Sequence, residues 1–449
     1  MRLGTRKVLD RSFTGLGSFS IVLVAAALVV LLAPIIARGA TAFVFRGTVE
    51  YRRMMRAHFD SGDQAAVEAE VAAATAARQP IYDALASFEQ KLPGYPAAQR
   101  RAYRESLDDL KTNLRTLLGP LPGDPPPALV RDAYGQTRWD RAQLKLRQIL
   151  YVQTWDYGPD GQQQGRPVFT PRVNEFKGTA VEPIFEYLPT HLADLLRPQL
   201  TFYWRFLFDT AVDAHFFGGI WPEVLGTLYL TLGAIFFAVP MGIVSAIYLV
   251  EYAGENWLVS LLRSCISTLA GVPSIVFGLF GLAFFINALH VSPAKSVLTG
   301  SLTLALLILP MVIRASEEAL RAVPRTFKEA ALSVGASKWH AIVTVVFPAA
   351  LPGILTGVVI SMGRAAGETA PIIFTAAVSA GPALRIWETL TQPTPALPWN
   401  IYNLCTEHAA VDEIRHVQYG MVLTLLALVL ALNGAALVAR ARIARRLSR

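Results

Sequence analysis

The chain has 449 residues and a formal charge of +8, with 16% charged and 53% hydrophobic residues and a mean hydropathy of +0.40. A soluble globular chain holds about 25% charged residues, so this composition excludes an ordinary cytosolic enzyme. Two cysteines build neither a disulfide framework nor a zinc site.

A hydrocarbon core about 30 Å thick takes roughly 20 apolar residues to cross as a helix. Lipid offers no partners to backbone N–H and C=O groups, so each crossing must be helical. Six stretches qualify. The first, residues 19–37 (FSIVLVAAALVVLLAPIIA), follows the basic residues Arg2, Arg6, Lys7 and Arg11. It ends near Ala40-Thr41-Ala42, which looks like a signal-peptidase site. The apolar run exceeds the 7–15 residues of a signal core, so a retained transmembrane helix is expected.

From residue 43 to 217 the chain turns polar and charged. Residues 96–118 have helical spacing, with Tyr103, Leu107, Leu110, Leu114 and Leu117 on one face, and Gly119-Pro120 stops the helix. GPLPGDPPPA (119–128) is a break. Residues 149–157 and 167–173 flank GPDGQQQG and suggest a hairpin. A mostly helical approach to the membrane is expected over 179–207. His58, His191 and His215 are scattered and read as surface or packed histidines. No role for this region is legible.

Five more apolar runs follow, near residues 220–250, 258–289, 297–313, 351–377 and 417–438. Basic residues collect before the first run, between the fourth and fifth (Arg314, Arg321, Arg325, Lys328, Lys338) and at the C-terminus (Arg440, Arg442, Arg445, Arg446, Arg449). With six crossings, the positive-inside rule puts all three clusters in the cytoplasm. The expected fold class is an all-α polytopic membrane protein with six transmembrane helices and a mainly α periplasmic insert. Its parts are a cytoplasmic N-terminus and first helix (1–42), a periplasmic domain (43–217), a transmembrane domain (218–440) and a basic cytoplasmic tail (441–449).

The fourth-to-fifth connection reads EAALSVGASKWHAIVTVVFP from Glu329 to Pro348. Thr326 and Glu329 have capping-box spacing for a short helix. Ala330 and Ala331 keep one face small, and Gly335 permits a turn. The stretch resembles the EAA loop of binding-protein-dependent ABC importers, with Val345 and Phe347 where the family prefers Ile and Leu. The resemblance implies that Glu329, Ala330, Ala331 and Gly335, in a cytoplasmic loop near 321–350, dock a separate ATPase. Without it, the segment reads equally as a surface helix that Glu329 merely caps.

Within the fifth run, GRAAGETAP spans Gly363 to Pro371. A charge at mid-membrane costs about 2.5–3.5 kcal/mol on insertion scales, so Arg364 and Glu368 must face protein or water. Four residues apart, they share a helix face. Gly363, Gly367 and Ala370 are spaced for close helix approach, and Pro371 bends the helix. The pair suits an anion pathway in which Glu368 tempers the pull of Arg364; a self-neutralising packing lock is the alternative.

That motif, AGVPSIVFG (270–278) and EEALRAVP (317–324) together resemble the PstA family of phosphate permease subunits. The resemblance covers residues 218–440 and implies a type I ABC importer permease fold. It implies a second permease (PstC-like), an ATPase (PstB-like) and a periplasmic phosphate-binding protein (PstS-like) as partners. Arg364, Glu368 and Ser274 are the pathway candidates, and a packing kink marked by Gly271, Pro273 and Gly278 is the alternative for the segment around Ser274. The insert departs from the family's short form. Another oxyanion, such as sulfate or molybdate, is a near alternative, and a receptor sensing through the insert is a more distant one. No G-x-x-x-x-G-K-[ST] occurs, so ATP hydrolysis is assigned to the separate subunit. No cofactor, metal or catalytic residue is expected.

Overall fold

A computed structural model describes residues 3–156, 166–254, 256–408 and 410–447. The chain divides into two compact units, one of Met1–Ala42 with Arg205–Arg449 and one of Phe43–Trp204. The sequence boundary at 217 therefore moves: residues 205–217 belong with the membrane helices.

Helix α1 (Leu3–Ala40) comes first. In the insert unit, β1 (Val44–Gly47) leads into α2 (Val49–Phe59), α3 (Gln64–Lys91), α4 (Ala97–Leu118) and α5 (Trp139–Leu150). A hairpin of β2 (Tyr151–Asp156) and β3 (Arg166–Pro171) follows, then α6 (Ile184–Leu196) and β4 (Gln199–Phe202). β2 and β3 are antiparallel, Tyr151 opposite Pro171; the expected turn lies outside the described residues. β4 pairs antiparallel with β1, Val44 opposite Phe202, so the two ends of the insert lie side by side. The mostly helical expectation for 179–207 holds through α6 and a 3-10 turn at Trp204–Leu207, and the short β4 is the departure from it. Arg197 has a left-handed φ of 48° and precedes Pro198, and together they end α6.

The α4 expectation holds. Leu107, Leu110, Leu114 and Leu117 are buried in one core with Phe88, Ile149, Phe176 and Leu188. A buried cation ties the helices together. Arg78 on α3 pairs with Glu50 of α2 at 3.0 Å and donates to the carbonyls of Leu195 and Leu118.

The membrane unit resumes with short strands β5 (Ala211–Val212) and β6 (Phe217–Gly218), then α7 (Trp221–Ile247), α8 (Trp257–Leu269), α9 (Ser274–Gly281) and α10 (Val297–Arg321). After these come α11 (Arg325–Ser333), α12 (Lys338–Ala341), α13 (Phe347–Gly367), α14 (Ala370–Thr375), α15 (Leu397–Thr406) and α16 (Arg415–Leu447). Wide π-helical turns extend α7 over Tyr248–Tyr252 and join α12 to α13 over Ile342–Val346.

Among the described residues, five helices are long and apolar enough to span a membrane: Ser12–Ala40, Trp221–Tyr252, Val297–Arg321, Lys338–Gly367 and Arg415–Arg445. The expected third crossing is not one helix. Its halves, Trp257–Leu269 and Ser274–Ala288, meet at 102°. Pro273 lacks an amide hydrogen and pushes Val272 out of helical geometry, which cuts the run where the sequence expected at most a kink.

Lipid gives no hydrophobic drive between helices, so small residues let them approach. A Cβ on Gly357 of α13 would lie 2.2 Å from Ala315 of α10, and one on Gly353 2.8 Å from Ala319. The expected approach at Gly363 and Gly367 is not found: Gly367 has nothing within 4 Å and Gly363 only Asn433 and Val429 beyond 3.4 Å. Cys265 and Cys405 are both free.

Candidate functional site: a buried ion pair and an exposed helical knob

Arg364 lies in the last turn of α13, which ends at Gly367; Glu368 follows in extended conformation (φ −76°, ψ 126°). This corrects the expectation of a pair in mid-helix, because Pro371 opens α14 instead of bending α13. Arg364 Nε donates to Glu368 Oε1 at 3.2 Å. Its Nη1 donates to Met311 Sδ at 3.3 Å, just past the midpoint of the 25-residue α10. The charges therefore sit at mid-depth of that span even though their own helix stops there. Side-chain exposures of 35% for Arg364 and 19% for Glu368 leave both within reach of a ligand.

Beyond the break, α14 is fixed to its neighbours. The carbonyl of Thr375 accepts from Ser296 N at 2.9 Å and Thr299 Oγ1 at 2.7 Å. A Cβ on Gly278 of α9 would meet the Ala370 carbonyl at 3.0 Å. Ser274 is the first residue of α9 and is half-buried. Among the described residues it makes no hydrogen bond to Arg364 or Glu368.

The second element is a knob of two short helices. No residue of α11 is buried, and Phe327, Leu332, Val334 and Trp339 expose apolar side chains. Glu329 and Ala330 are exposed, and Ala331 is half-buried. Gly335 has φ +88°, the turn geometry expected of it, and its N–H donates to the Leu332 carbonyl at 3.0 Å. Ser337 caps α12 by accepting from His340 N at 3.3 Å.

The expected Thr326–Glu329 capping box is absent. α11 starts at Arg325, with Pro324 as a cap that makes no side-chain hydrogen bond. Proline fixes φ and launches the helix two residues too early for Thr326 to act as a cap.

Two contacts that sequence reasoning missed hold the knob against the end of α7. Lys328 pairs with Glu251, and Lys338 Nζ lies 4.5 Å from the ring centre of Tyr252. A charged Glu251-Tyr252 step closing a long apolar run was the available signal.

The family described as binding-protein-dependent transport system inner membrane component matches residues 238–449. A probable ABC transporter permease protein YqgI of Bacillus subtilis (strain 168) is 33% identical over 224 residues, 48% of this chain and 74% of that protein. The phosphate transport system permease protein PstA 1 of Mycobacterium tuberculosis (strain CDC 1551 / Oshkosh) is 36% identical over 240 residues, 53% of this chain and 76% of that protein. Among solved structures, the inward-facing MetNI methionine ABC transporter aligns with 49% of this chain and 94% of its own, with a TM-score of 0.39 and 18% identity.

Long apolar helices, one of them level at its middle with a charged pair, and relatives that are ABC transporter permeases define a polytopic membrane transport subunit. The chain belongs to the family of binding-protein-dependent transport system inner membrane components. Membership implies work alongside an ATPase and a binding protein.

Proposed function

We propose that this chain is the permease subunit of an ATP-driven importer of inorganic phosphate and forms half of its translocation pathway. The observation that carries this reading is the half-open Arg364 guanidinium at mid-depth, balanced by Glu368 at 3.2 Å. A cation in low dielectric attracts an oxyanion strongly. The adjoining carboxylate weakens that hold enough for release. Ser274, at the head of α9, is assigned to the same pathway.

The knob formed by Glu329, Ala330, Ala331 and Gly335 docks the ATPase. A PstB-like ATPase, a PstC-like second permease and a PstS-like binding protein complete the complex. ATP binding draws the ATPases together and shifts the permeases between inward- and outward-facing states. Both termini lie in the cytoplasm, residues 43–217 in the periplasm and residues 218–440 in the inner membrane, in keeping with the basic clusters. The relatives' names support phosphate over other oxyanions.

Uptake of labelled phosphate and sulfate by a deletion strain carrying this chain tests the proposal. Phosphate accumulation is expected. Sulfate uptake restored with phosphate uptake unchanged would overturn it.

A further inference from the structure

Below Met311, α10 carries Arg314, Glu317, Glu318 and Arg321. Residues three, seven and ten positions on from Met311 follow one helix face, so Arg314, Glu318 and Arg321 continue the stripe on which Arg364 rests. Across from them α8 supplies Arg263 and Ser267, and these residues line a cavity of about 250 Å³.

Its polar groups are incompletely paired. Arg314 donates to Ser267 Oγ, and Arg263 Nη2 donates to the Leu249 carbonyl at 2.9 Å. Arg263 Nε stands 3.8 Å from Glu317 Oε1, beyond hydrogen-bond length, and both atoms are buried without a hydrogen-bond partner. Arg321 makes no ion pair among the described residues. Three guanidinium groups face two carboxylates, which leaves one positive charge in excess.

We propose that this cavity between α8 and α10 binds a phosphate-class anion. Guanidinium forks match tetrahedral oxyanions, and Ser267 Oγ, which donates to the Arg263 carbonyl at 2.8 Å, holds Arg314 at the cavity wall. The single excess charge suits a station that releases its ligand. The anion comes either from phosphate leaving Arg364, a source that rests on the proposed function, or from the phosphodiester of an anionic lipid.

The test uses the assembled complex in nanodiscs, with Arg314→Gln and Arg321→Gln made in this chain. Two quantities are measured: equilibrium binding of labelled inorganic phosphate, and phosphatidylglycerol retained by native mass spectrometry. If phosphate is the ligand, Arg314→Gln weakens one phosphate site tenfold or more, and that site persists in Arg364→Gln. If a lipid is the ligand, Arg314→Gln strips bound phosphatidylglycerol and leaves phosphate binding unchanged. Arg321→Gln, at an exposed side chain, reads the same way should Arg314→Gln fail to assemble. Assembled variants that retain both phosphate and lipid overturn the proposal. A wild-type complex that moves no phosphate overturns the proposed function alone, because both binding measurements are independent of transport.

Discussion

His215 Nε2 donates to Glu223 Oε1 at 2.8 Å, and both side chains are nearly closed to solvent, at 3% and 2% exposure. Asn400 Nδ2 donates to the same oxygen at 3.0 Å. The pair therefore joins the loop after β5, the first turn of α7 and α15. It also holds Asp213, Ala214 and His215 in left-handed geometry, with φ of 49°, 51° and 70°. Removing one partner of a buried pair strands the other. Glu223→Ala should cost about 3 kcal/mol and lower the melting temperature of the purified protein in detergent. An unchanged melting curve would refute the anchoring role.

Arg364 is half-open, and α13 ends beside it, so its charge is free to serve a ligand as well as Glu368. Arg364→Gln should reduce phosphate uptake at least tenfold while the complex still assembles. Arg364→Lys keeps the charge but loses the planar fork and should fall between the two. Full uptake by Arg364→Gln would return the pair to a packing role.

Lys328 and Glu251 bind the knob to the end of α7. Reversing one charge opposes like charges there. Lys328→Glu should uncouple ATP hydrolysis from uptake, and adding Glu251→Lys should recover much of the coupling. The check is the ratio of phosphate moved to ATP hydrolysed by each variant in liposomes; an unrestored double variant would argue against a direct pairing.

Gly335 has φ +88° and open space around the position of a Cβ, so a substitution there is penalised through the backbone and not through collision. A β-branched residue in left-handed geometry costs roughly 1–2 kcal/mol, whereas Asn tolerates it better. Gly335→Val should weaken capture of the ATPase on affinity purification, and Gly335→Asn should do so less. Equal capture by both would show that the turn does not shape the docking face.

In the insert, Arg115 donates to Asp124 through Nε and Nη2, each at 2.8 Å, and Leu121 N donates to the same carboxylate. The Arg115 hydrogen bond chiefly, aided by Leu121, holds the Asp124 carboxyl below its usual 3.8. A depressed carboxyl pKa stabilises the fold above the unfolded value, and that contribution is lost as pH falls through the folded value. Hydrogen-exchange protection factors at residues 115–124, taken against the intrinsic rate at each pH, should fall as pH drops below about 4. Asp124→Asn should remove that acid sensitivity and cost about 1 kcal/mol at neutral pH.

The straight crossings were legible because one long apolar run suffices to specify a helix in lipid. The third was misread because a hydropathy sum over 258–289 has no term for one proline; Pro273 changes direction without changing polarity. The fifth run hid its break for the same reason, since Glu368 and Thr369 interrupt the helix inside an otherwise apolar stretch. The α4 core face was readable from the spacing of its leucines. The capping-box expectation weighed Thr326 against Glu329 and neglected Pro324 upstream. The His215–Glu223 pair could not be read at all, because it joins elements that only the fold brings together; for Lys328–Glu251 the sequence offered the charged end of the α7 run but not its partner.

The gap at Glu368 gives the two parts of the fifth crossing different mechanical lives. The first piece is a helical rod continuous with the knob, reaching roughly 40 Å from Lys338 to Arg364. The outer stub, α14, is bolted to α9 and α10 through Thr375. A displacement at the knob end can therefore reach the charged couple along α13 without passing through a continuous helix into α14, and the couple sits at the junction. An unbroken helix would pass that displacement straight on into its outer half.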